Sequence, residues 1–268
     1  MLKDITLGQY YPAESPIHRL DPRTKLLLMI AFIVAVFLVD SMVMYIPLFA
    51  FIVVTLVIAN IPLSYLWRAL KPMKWLLVFM FFINLFLIST GDALVEFYFI
   101  KITMGGLRQA AFVVIRLIIL VCGTSLLTLT TTPISLTDGI ESLLSPLKDN
   151  KFPAHEHAMI MTIALRFIPT LLEEADKIMK AQSARGAKID TGNLIQRAKG
   201  MMPILIPLFI SAFRRADELA MAMESRCYHG GEGRTKLHKL GFMPRDLYAA
   251  LIMSALIAMV VTVQVVWL

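Results

Sequence analysis

The sequence predicts an all-α, polytopic membrane protein with about five transmembrane helices and three cytoplasmic helices between the fourth and fifth spans. Of its 268 residues, 58% are hydrophobic and only 17% are charged, against roughly 45–50% and 25% in soluble domains. The mean hydropathy is +0.73. Several apolar stretches approach the roughly 20 residues that cross a bilayer as a helix. This composition excludes a disordered chain and argues strongly against a soluble enzyme.

Five segments are predicted to span the membrane. Residues 26–39 are short for a span, but they cross the bilayer if the flanking Arg23 and Lys25 extend their charged ends to the interface. The other four spans are predicted within residues 41–67, 75–91, 107–130 and 247–268. No apolar segment of the kind found in cleaved signal peptides occurs in the first 25 residues, so no such peptide is expected.

The basic residues predict the orientation of these spans. The formal net charge is +7, and the surplus is contained in residues 1–25, 68–74 and 131–246, whereas the intervening loops are acidic. Basic loops are retained in the cytoplasm. The N-terminus and the long segment 131–246 are therefore expected inside the cell and the C-terminus outside. The positive charge is assigned to topology, and no nucleic-acid partner is expected.

Arg116 is an ionisable residue inside the predicted fourth span. Such a residue is a candidate functional site by default. It is equally compatible with a side chain that extends to the outer interface, and the sequence leaves both interpretations open.

The segment between spans four and five is predicted to form a separate helical domain, residues 133–246, after an N-terminal membrane domain of residues 1–132 and before the final span at 247–268. Three helices are expected, at residues 135–147, 154–184 and 191–226. The two long helices begin apolar and become charged. Residues 201–213 carry no charge but rise only about 20 Å as a helix. They are therefore expected to pack against another protein or to lie at the membrane surface.

Both long helices end in a small residue followed by an arginine. Each is predicted to project its charged end into the cytosol, so the two helices are interpreted as parallel. The two sequences are Ser183-Ala184-Arg185-Gly186 and Glu224-Ser225-Arg226-Cys227. An arginine at a helix C-terminus interacts favourably with the helix dipole, and its planar guanidinium binds carboxylates. The spacing alone is compatible with docking to a partner and with simple capping.

No catalytic motif is found in the sequence. The phosphate-binding pattern G-x-x-x-x-G-K-[ST] is absent, and the glycine-rich residues 230–235 follow a predicted helix where that motif follows a strand. His155 and His157 do not have the H-E-x-x-H spacing of zinc proteases. Glu173, Glu174 and Asp176 are more simply interpreted as a solvated helix face than as a metal site. Neither a metal nor a cofactor is expected.

The paired arginine termini resemble those of the transmembrane (T) component of energy-coupling factor (ECF) transporters, the EcfT/CbiQ family. The first triplet, Ala184-Arg185-Gly186, matches the family motif in full, and the second keeps only the arginine of the triplet Ser225-Arg226-Cys227. Residues 18–25 and 228–235 also resemble the family, and the similarity extends over essentially the whole chain.

This resemblance implies a non-catalytic subunit of a bacterial or archaeal membrane importer. It would connect two cytoplasmic ABC-type ATPases, which hydrolyse ATP, to a small membrane S component that binds a vitamin or a metal ion. The two arginine triplets would dock onto the ATPases. The S component would contact the apolar part of the third helix, at Met201, Met202, Ile204, Leu205, Leu208 and Phe209.

Two alternative functions predict features that the sequence does not show. An integral membrane lipid or isoprenoid transferase would carry paired acidic motifs, and none is evident in the sequence. A self-sufficient secondary carrier would show internal repeats, and none is recognisable.

Overall fold

The computed structural model describes residues 10–88, 93–97, 100–144, 154–187, 194–230 and 240–267, and these residues are predominantly helical. The helices are α1 (Pro22–Phe37), α2 (Tyr45–Ile58), α3 (Ser64–Leu70), α4 (Lys74–Leu87), α5 (Met104–Thr130), α6 (Pro133–Leu144), α7 (Ala154–Ala184), α8 (Leu194–Ser225) and α9 (Pro244–Trp267). Strands β1 (Ala93–Phe97) and β2 (Ile100–Thr103) pair as an antiparallel hairpin between α4 and α5. The helical fold class is confirmed, and the hairpin is an addition that the sequence did not predict.

Three helices within the described residues are long and apolar enough to cross a bilayer. They are Ser64–Leu87, Met104–Thr130 and Pro244–Val265, and they correspond to the third, fourth and fifth predicted spans. The first two predicted spans are shorter apolar helices, α1 with 16 residues and Met42–Ile58. The chain is therefore a multi-pass membrane protein. Residues 89–91 and 268, at the ends of two predicted spans, lie outside the described residues.

The basic loop predicted at residues 68–74 is helical, so that prediction is wrong. A 3₁₀ turn at Lys71–Met73 joins α3 directly to α4. Pro72 interrupts neither helix because it lies in the first positions of the turn, where its missing amide donor is not needed. Arg68, Lys71 and Lys74 suggested a loop by their charge, although lysine and arginine are good helix formers.

The chain divides into two compact units. The first, called the membrane unit here, consists of residues 8–139 and 240–268. Its core lies among α1, α2 and α5, where Ala35, Val36 and Leu48 are fully buried. Close approach of α1 and α5 depends on Gly123, because a Cβ atom there would lie 2.3 Å from the ring of Phe32.

Hydrogen bonds at both ends of the membrane unit show that α1 and α9 run parallel. At one end, called the Asp246 end, the carboxylate of Asp246 accepts a bond from the backbone N–H of Asp21 at 2.9 Å. At the other end, the side chain of Gln264 donates to Asp40. The starts of α1 and α9 therefore share one end of the unit.

Two further bonds show that α5 runs in the opposite direction. The ammonium group of Lys25 donates to the carbonyl of Thr130 at 2.8 Å, and the guanidinium of Arg116 donates to the carbonyl of Val39 at 2.7 Å. Since Lys25 and Val39 lie at opposite ends of α1, the C-terminus of α5 lies at the Asp246 end.

Arg116 has a structural role in this arrangement. Besides Val39, it donates to the hydroxyl of Tyr45 at 3.0 Å, and its guanidinium lies over the ring of Phe112 at 4.7 Å. The Val39 carbonyl follows the end of α1, where carbonyls lack an intrahelical partner. The observed contacts give this charge a third role, which neither interpretation from the sequence included: Arg116 joins α5 to the ends of α1 and α2.

The second unit contains α7 and α8 among its described residues. Helix α7 has the bounds that the sequence predicts, and α8 ends one residue before Arg226. The predicted first helix of this segment is α6, which begins two residues earlier than expected. Its predicted end at 145–147 and the predicted start of α8 at 191–193 lie outside the described residues, as do residues 231–235 of the glycine-rich segment.

Candidate functional site: two arginine-tipped helix ends

Helix α7 ends in a Schellman motif that includes the first arginine triplet. The backbone N–H of Gly186 bonds to the carbonyl of Ser183, and that of Ala187 bonds to the carbonyl of Gln182, both at 3.0 Å. Gly186 has a φ of +82°. These are the two hydrogen bonds and the left-handed residue that define this helix end. Arg185 is consequently the last residue before the chain turns away from the helix axis.

Helix α8 ends in the same way. The N–H of Cys227 bonds to the carbonyl of Glu224 at 2.9 Å, and the N–H of Tyr228 bonds to the carbonyl of Met223 at 3.1 Å. Cys227 takes the left-handed position with a φ of +54°. Arg226 therefore has the same place in its helix end as Arg185 has in α7.

The matching geometry explains the composition of the two triplets. The third residue must adopt a left-handed conformation, which glycine does without strain and other residues do at a cost. Cys227 departs from the triplet of the first helix, yet it keeps the required backbone geometry. Both Arg185 and Arg226 are exposed. Within the described parts of the chain, no hydrogen bond or ion pair to either guanidinium is observed.

An ion pair and a hydrogen bond join α7 to α8. The carboxylate of Glu174 accepts bonds from the Ser211 hydroxyl at 2.5 Å and from the Arg215 guanidinium at 2.9 Å. The Ser211 hydrogen bond, followed by the contacts with Arg215, lowers the pKa of Glu174 below its usual 4.5. Both interactions favour the charged carboxylate.

A second contact between these helices involves a proline. The side-chain amide of Gln182 donates to the carbonyl of Pro203 at 3.4 Å. In a regular helix this carbonyl would accept from the backbone N–H of residue 207, but Pro207 has none. Gln182 therefore contacts a backbone acceptor that the proline leaves without its helical partner.

These contacts show that α7 and α8 cross in opposite directions. Glu174 contacts residues 211 and 215 of α8, whereas Gln182, later in α7, contacts the earlier Pro203. The expectation of parallel helices is therefore wrong, because the sequence holds no information about their pairing. Arg185 lies close to the Pro203 side of the crossing, and Arg226 lies roughly 35 Å farther along α8 at 1.5 Å per residue.

Of the three acidic residues of α7 that could form a metal site, Glu174 and Asp176 have other partners and Glu173 is exposed. Glu174 is bound by α8, as described above. Asp176 forms an ion pair with Lys180, one helical turn later, at 2.7 Å. Among the residues that the structure describes, no group of three His, Cys, Asp or Glu side chains is arranged to hold a metal ion.

Helix α8 exposes an apolar face in its first half. Of the six residues assigned to S-component contact, Met201, Met202, Leu205 and Phe209 are exposed, Leu208 is partly buried, and Ile204 is buried at 6% exposure. The same face also includes Ile206, Ile210 and Phe213, which are more than half exposed and are not among the six residues predicted from the sequence. Their spacing from Met202 follows the helical period, a signal that identifies one face of a helix.

Comparison with known proteins gives consistent matches over the whole chain. Residues 13–237 match the CbiQ family, described as "Cobalt transport protein". The chain is 55% identical over 257 residues to the energy-coupling factor transporter transmembrane protein EcfT of Thermosediminibacter oceani, and the alignment covers 96% of each chain. It is 50% identical over 270 residues to the protein of that name from Clostridium kluyveri, covering 100% and 99%. The Bacillus subtilis protein of that name is 45% identical over 260 residues, covering 96% and 98%.

Proposed function

Because the chain belongs to the CbiQ family and is an energy-coupling transmembrane protein of ECF transporters, we propose that it links two cytoplasmic ABC-type ATPases to a small S component that binds a vitamin or a metal ion. ATP hydrolysis takes place in the ATPases, and the chain transmits the resulting motion. The membrane lipid or isoprenoid transferase considered as an alternative is not supported by these relatives.

The repeated helix end is the observation that carries this proposal. Arg185 and Arg226 occupy the same position in two Schellman motifs, both are exposed, and they lie on opposite sides of the α7–α8 crossing. Two equivalent ATPases require two equivalent docking elements that are well separated. Each triplet, Ala184-Arg185-Gly186 and Ser225-Arg226-Cys227, contributes one guanidinium for a carboxylate of one ATPase.

The exposed apolar face of α8 provides the surface for the S component. Met201, Met202, Leu205 and Phe209 form its centre, with Leu208 at its edge and Ile204 supporting it from the buried side. Exposed apolar patches that are contiguous mark interaction surfaces with proteins or with the membrane. Movement of the ATPases at the helix tips then reaches the S component through the same helices.

The protein is oriented with its N-terminus in the cytoplasm and its C-terminus outside. The Asp246 end of the membrane unit holds the starts of α1 and α9 and, near them, Arg19, Arg23 and Arg245, whereas Asp40 lies at the opposite end. A basic end is retained in the cytoplasm, and this supports the assignment.

Charge reversal at both tips, meaning Arg185 at the end of α7 and Arg226 at the end of α8, tests the docking role. We expect Arg185→Glu together with Arg226→Glu to abolish co-purification of the ATPases, because each carboxylate on a partner then meets a like charge. Co-purification from membranes in mild detergent, with the ATPases quantified by mass spectrometry, measures the effect.

The matched control is Arg166→Glu together with Arg214→Glu, which makes the same change in charge at one exposed position of each helix away from the tips. Both double variants should insert into the membrane in normal amounts. Retention of the ATPases by the tip variant would contradict the docking role.

A further inference from the structure

The membrane unit contains a cleft of about 420 Å³ among α1, α2, α5 and α9 that the coupling function does not use. Its walls are almost entirely apolar, with Leu28, Phe32 and Leu126 among the side chains that form them. The volume is within the usual range of ligand sites. Gly123 and the Phe32 ring, which pack closely against each other, both line the cleft.

The dimensions of the cleft match one leaflet of a bilayer. Along α9 it extends from Arg245 to Met253, about 12 Å at 1.5 Å per residue, and one leaflet contributes about 15 Å of hydrocarbon. The α2 and α9 walls include Val54 and Ile252, which are 55% and 59% exposed. Apolar side chains that both line the cleft and remain exposed indicate that it opens sideways onto the surface that faces lipid.

Cationic side chains are present only at one end of the cleft, among its described lining residues. Arg245 is exposed at this end and also borders a shallower groove lined by Arg19 and Ser15. Within the described structure, no hydrogen bond or ion pair to Arg245 is observed. Glu14, the acidic residue of that groove, forms its ion pair with Arg19, at 3.0 Å.

Lys25 supplies a second cation at the same end. Its ammonium group donates to the carbonyls of His18 at 3.1 Å and Thr130 at 2.8 Å. An ammonium group has three donor hydrogens, and these two bonds occupy two of them. The third donor hydrogen is not used by either bond, and Lys25 lines the cleft.

We propose that this cleft binds one anionic phospholipid, with an acyl chain between α1, α2, α5 and α9 and its phosphate beside Arg245 and Lys25. An apolar channel of one-leaflet depth that ends in cations is complementary to an anionic amphiphile. Basic pockets between transmembrane helices are known to bind anionic lipid headgroups. A transmembrane helix of another subunit would fill the apolar part but would leave the exposed Arg245 without a counter-charge.

Native mass spectrometry of the full-length chain tests this inference. The protein is equilibrated in detergent with dioleoyl-phosphatidylglycerol or with dioleoyl-phosphatidylcholine, and retained lipid is counted. We expect one phosphatidylglycerol per chain and weaker retention of phosphatidylcholine. Arg245→Gln should lower the occupancy by phosphatidylglycerol about fivefold, the effect typical of one basic residue near an anionic headgroup.

Two adjacent alanines allow a matched test of whether lipid occupies the cleft itself. Ala249 lines the cleft, whereas Ala250 is exposed and does not. Ala249→Trp should abolish retention of both lipids, and Ala250→Trp should leave retention unchanged, as should Lys71→Gln as a control for charge. If Ala249→Trp unfolds at a lower temperature than the unsubstituted chain, Ala249→Leu replaces it.

Lack of bound lipid in the unsubstituted chain, equal retention of the two lipids, or undiminished retention by a folded Ala249 variant would overturn the inference. Photo-crosslinking in native membranes identifies the occupant directly. A benzoylphenylalanine at Ile252, which lines the cleft, should give a lipid adduct that is absent at the equally exposed Leu251. A protein adduct at Ile252 would assign the cleft to a subunit and overturn the inference.

Discussion

Gly186 and Cys227 occupy equivalent left-handed positions at the ends of α7 and α8, but only one of them is a glycine. A side chain in this conformation costs about 1–2 kcal/mol because its Cβ atom crowds the following carbonyl. The two helix ends therefore have the same hydrogen bonds but different conformational strain.

Substitutions at these two positions should have opposite effects. Gly186→Ala is expected to destabilise the end of α7 by about 1 kcal/mol, and Cys227→Gly is expected to stabilise the end of α8 by a similar or smaller amount. Hydrogen exchange of the amides of Ala187 and Tyr228, which close the two motifs, measures each effect locally. Equal exchange in Gly186→Ala and the unsubstituted chain would contradict the requirement for a left-handed residue.

Glu174 carries the charged contact between α7 and α8, and its depressed pKa links that contact to pH. Because the folded state holds the carboxylate in its charged form, the contribution of Glu174 to stability is complete above the unfolded value, near 4.5. It is lost as the pH falls through the lower folded pKa.

We expect Glu174→Gln to lower the thermal unfolding temperature of the detergent-solubilised chain at neutral pH. The difference from the unsubstituted chain should shrink as the pH falls below 4.5, since protonation then removes the same charge. Glu173→Gln, at the exposed neighbouring position, is the control and should have little effect at either pH. A constant difference across this range would show that the charge of Glu174 is not what joins the helices.

At the scale of elements, α1 and α5 pack closely because a glycine faces an aromatic ring. The ring of Phe32 is 4% exposed, and a Cβ atom on Gly123 would lie 2.3 Å from it. Neither group has room to move without displacing a helix. This contact positions α5 so that Arg116 and Thr130 reach both ends of α1.

Gly123→Ala is expected to destabilise the membrane unit by about 1–3 kcal/mol through overpacking. Shortening the opposing side chain should relieve the clash, so the double variant Gly123→Ala with Phe32→Leu should be more stable than Gly123→Ala alone. Thermal unfolding of the purified chain in detergent compares the three. Additive losses in the double variant would show that the two residues do not compete for the same space.

At the scale of the whole molecule, the ends of α7 and α8 lie far apart, so the two docking points that we propose there should act independently. The antiparallel crossing fixed by Glu174 and Gln182 sends Arg185 and Arg226 away from each other. Sites more than about 10 Å apart without shared partners usually contribute additively to binding.

Reversing the charge of Arg185 or of Arg226 alone should therefore weaken ATPase binding, and the two losses should be independent. We expect the losses of binding free energy in Arg185→Glu and Arg226→Glu, measured by titration of the purified ATPase pair, to add in the double variant within about 0.5 kcal/mol. A strong departure from additivity would mean that both arginines contact one site and that the tips are not independent.

Much of this architecture follows from local patterns. The bounds of α7 were predicted correctly because its composition and the Gly186 stop signal lie within the helix itself. The two arginine motifs were also found by local repetition. The helix at residues 68–74 was not predicted, because lysine and arginine are compatible with a loop and are also good helix formers. The hairpin was not predicted either, because β1 and β2 are short strands that pair with each other.

The sequence by itself determined the membrane class, the long helices and the two arginine ends, because hydropathy, helix period and C-terminal stop residues act between neighbours in the chain. Only the tertiary structure decided that α7 and α8 cross in opposite directions, that Arg116 joins α5 to the end of α1, and that four helices enclose a cleft with Lys25 and Arg245 at one end. These features depend on contacts between residues that are far apart in sequence, and such contacts are set by packing and hydrogen bonding in the folded chain.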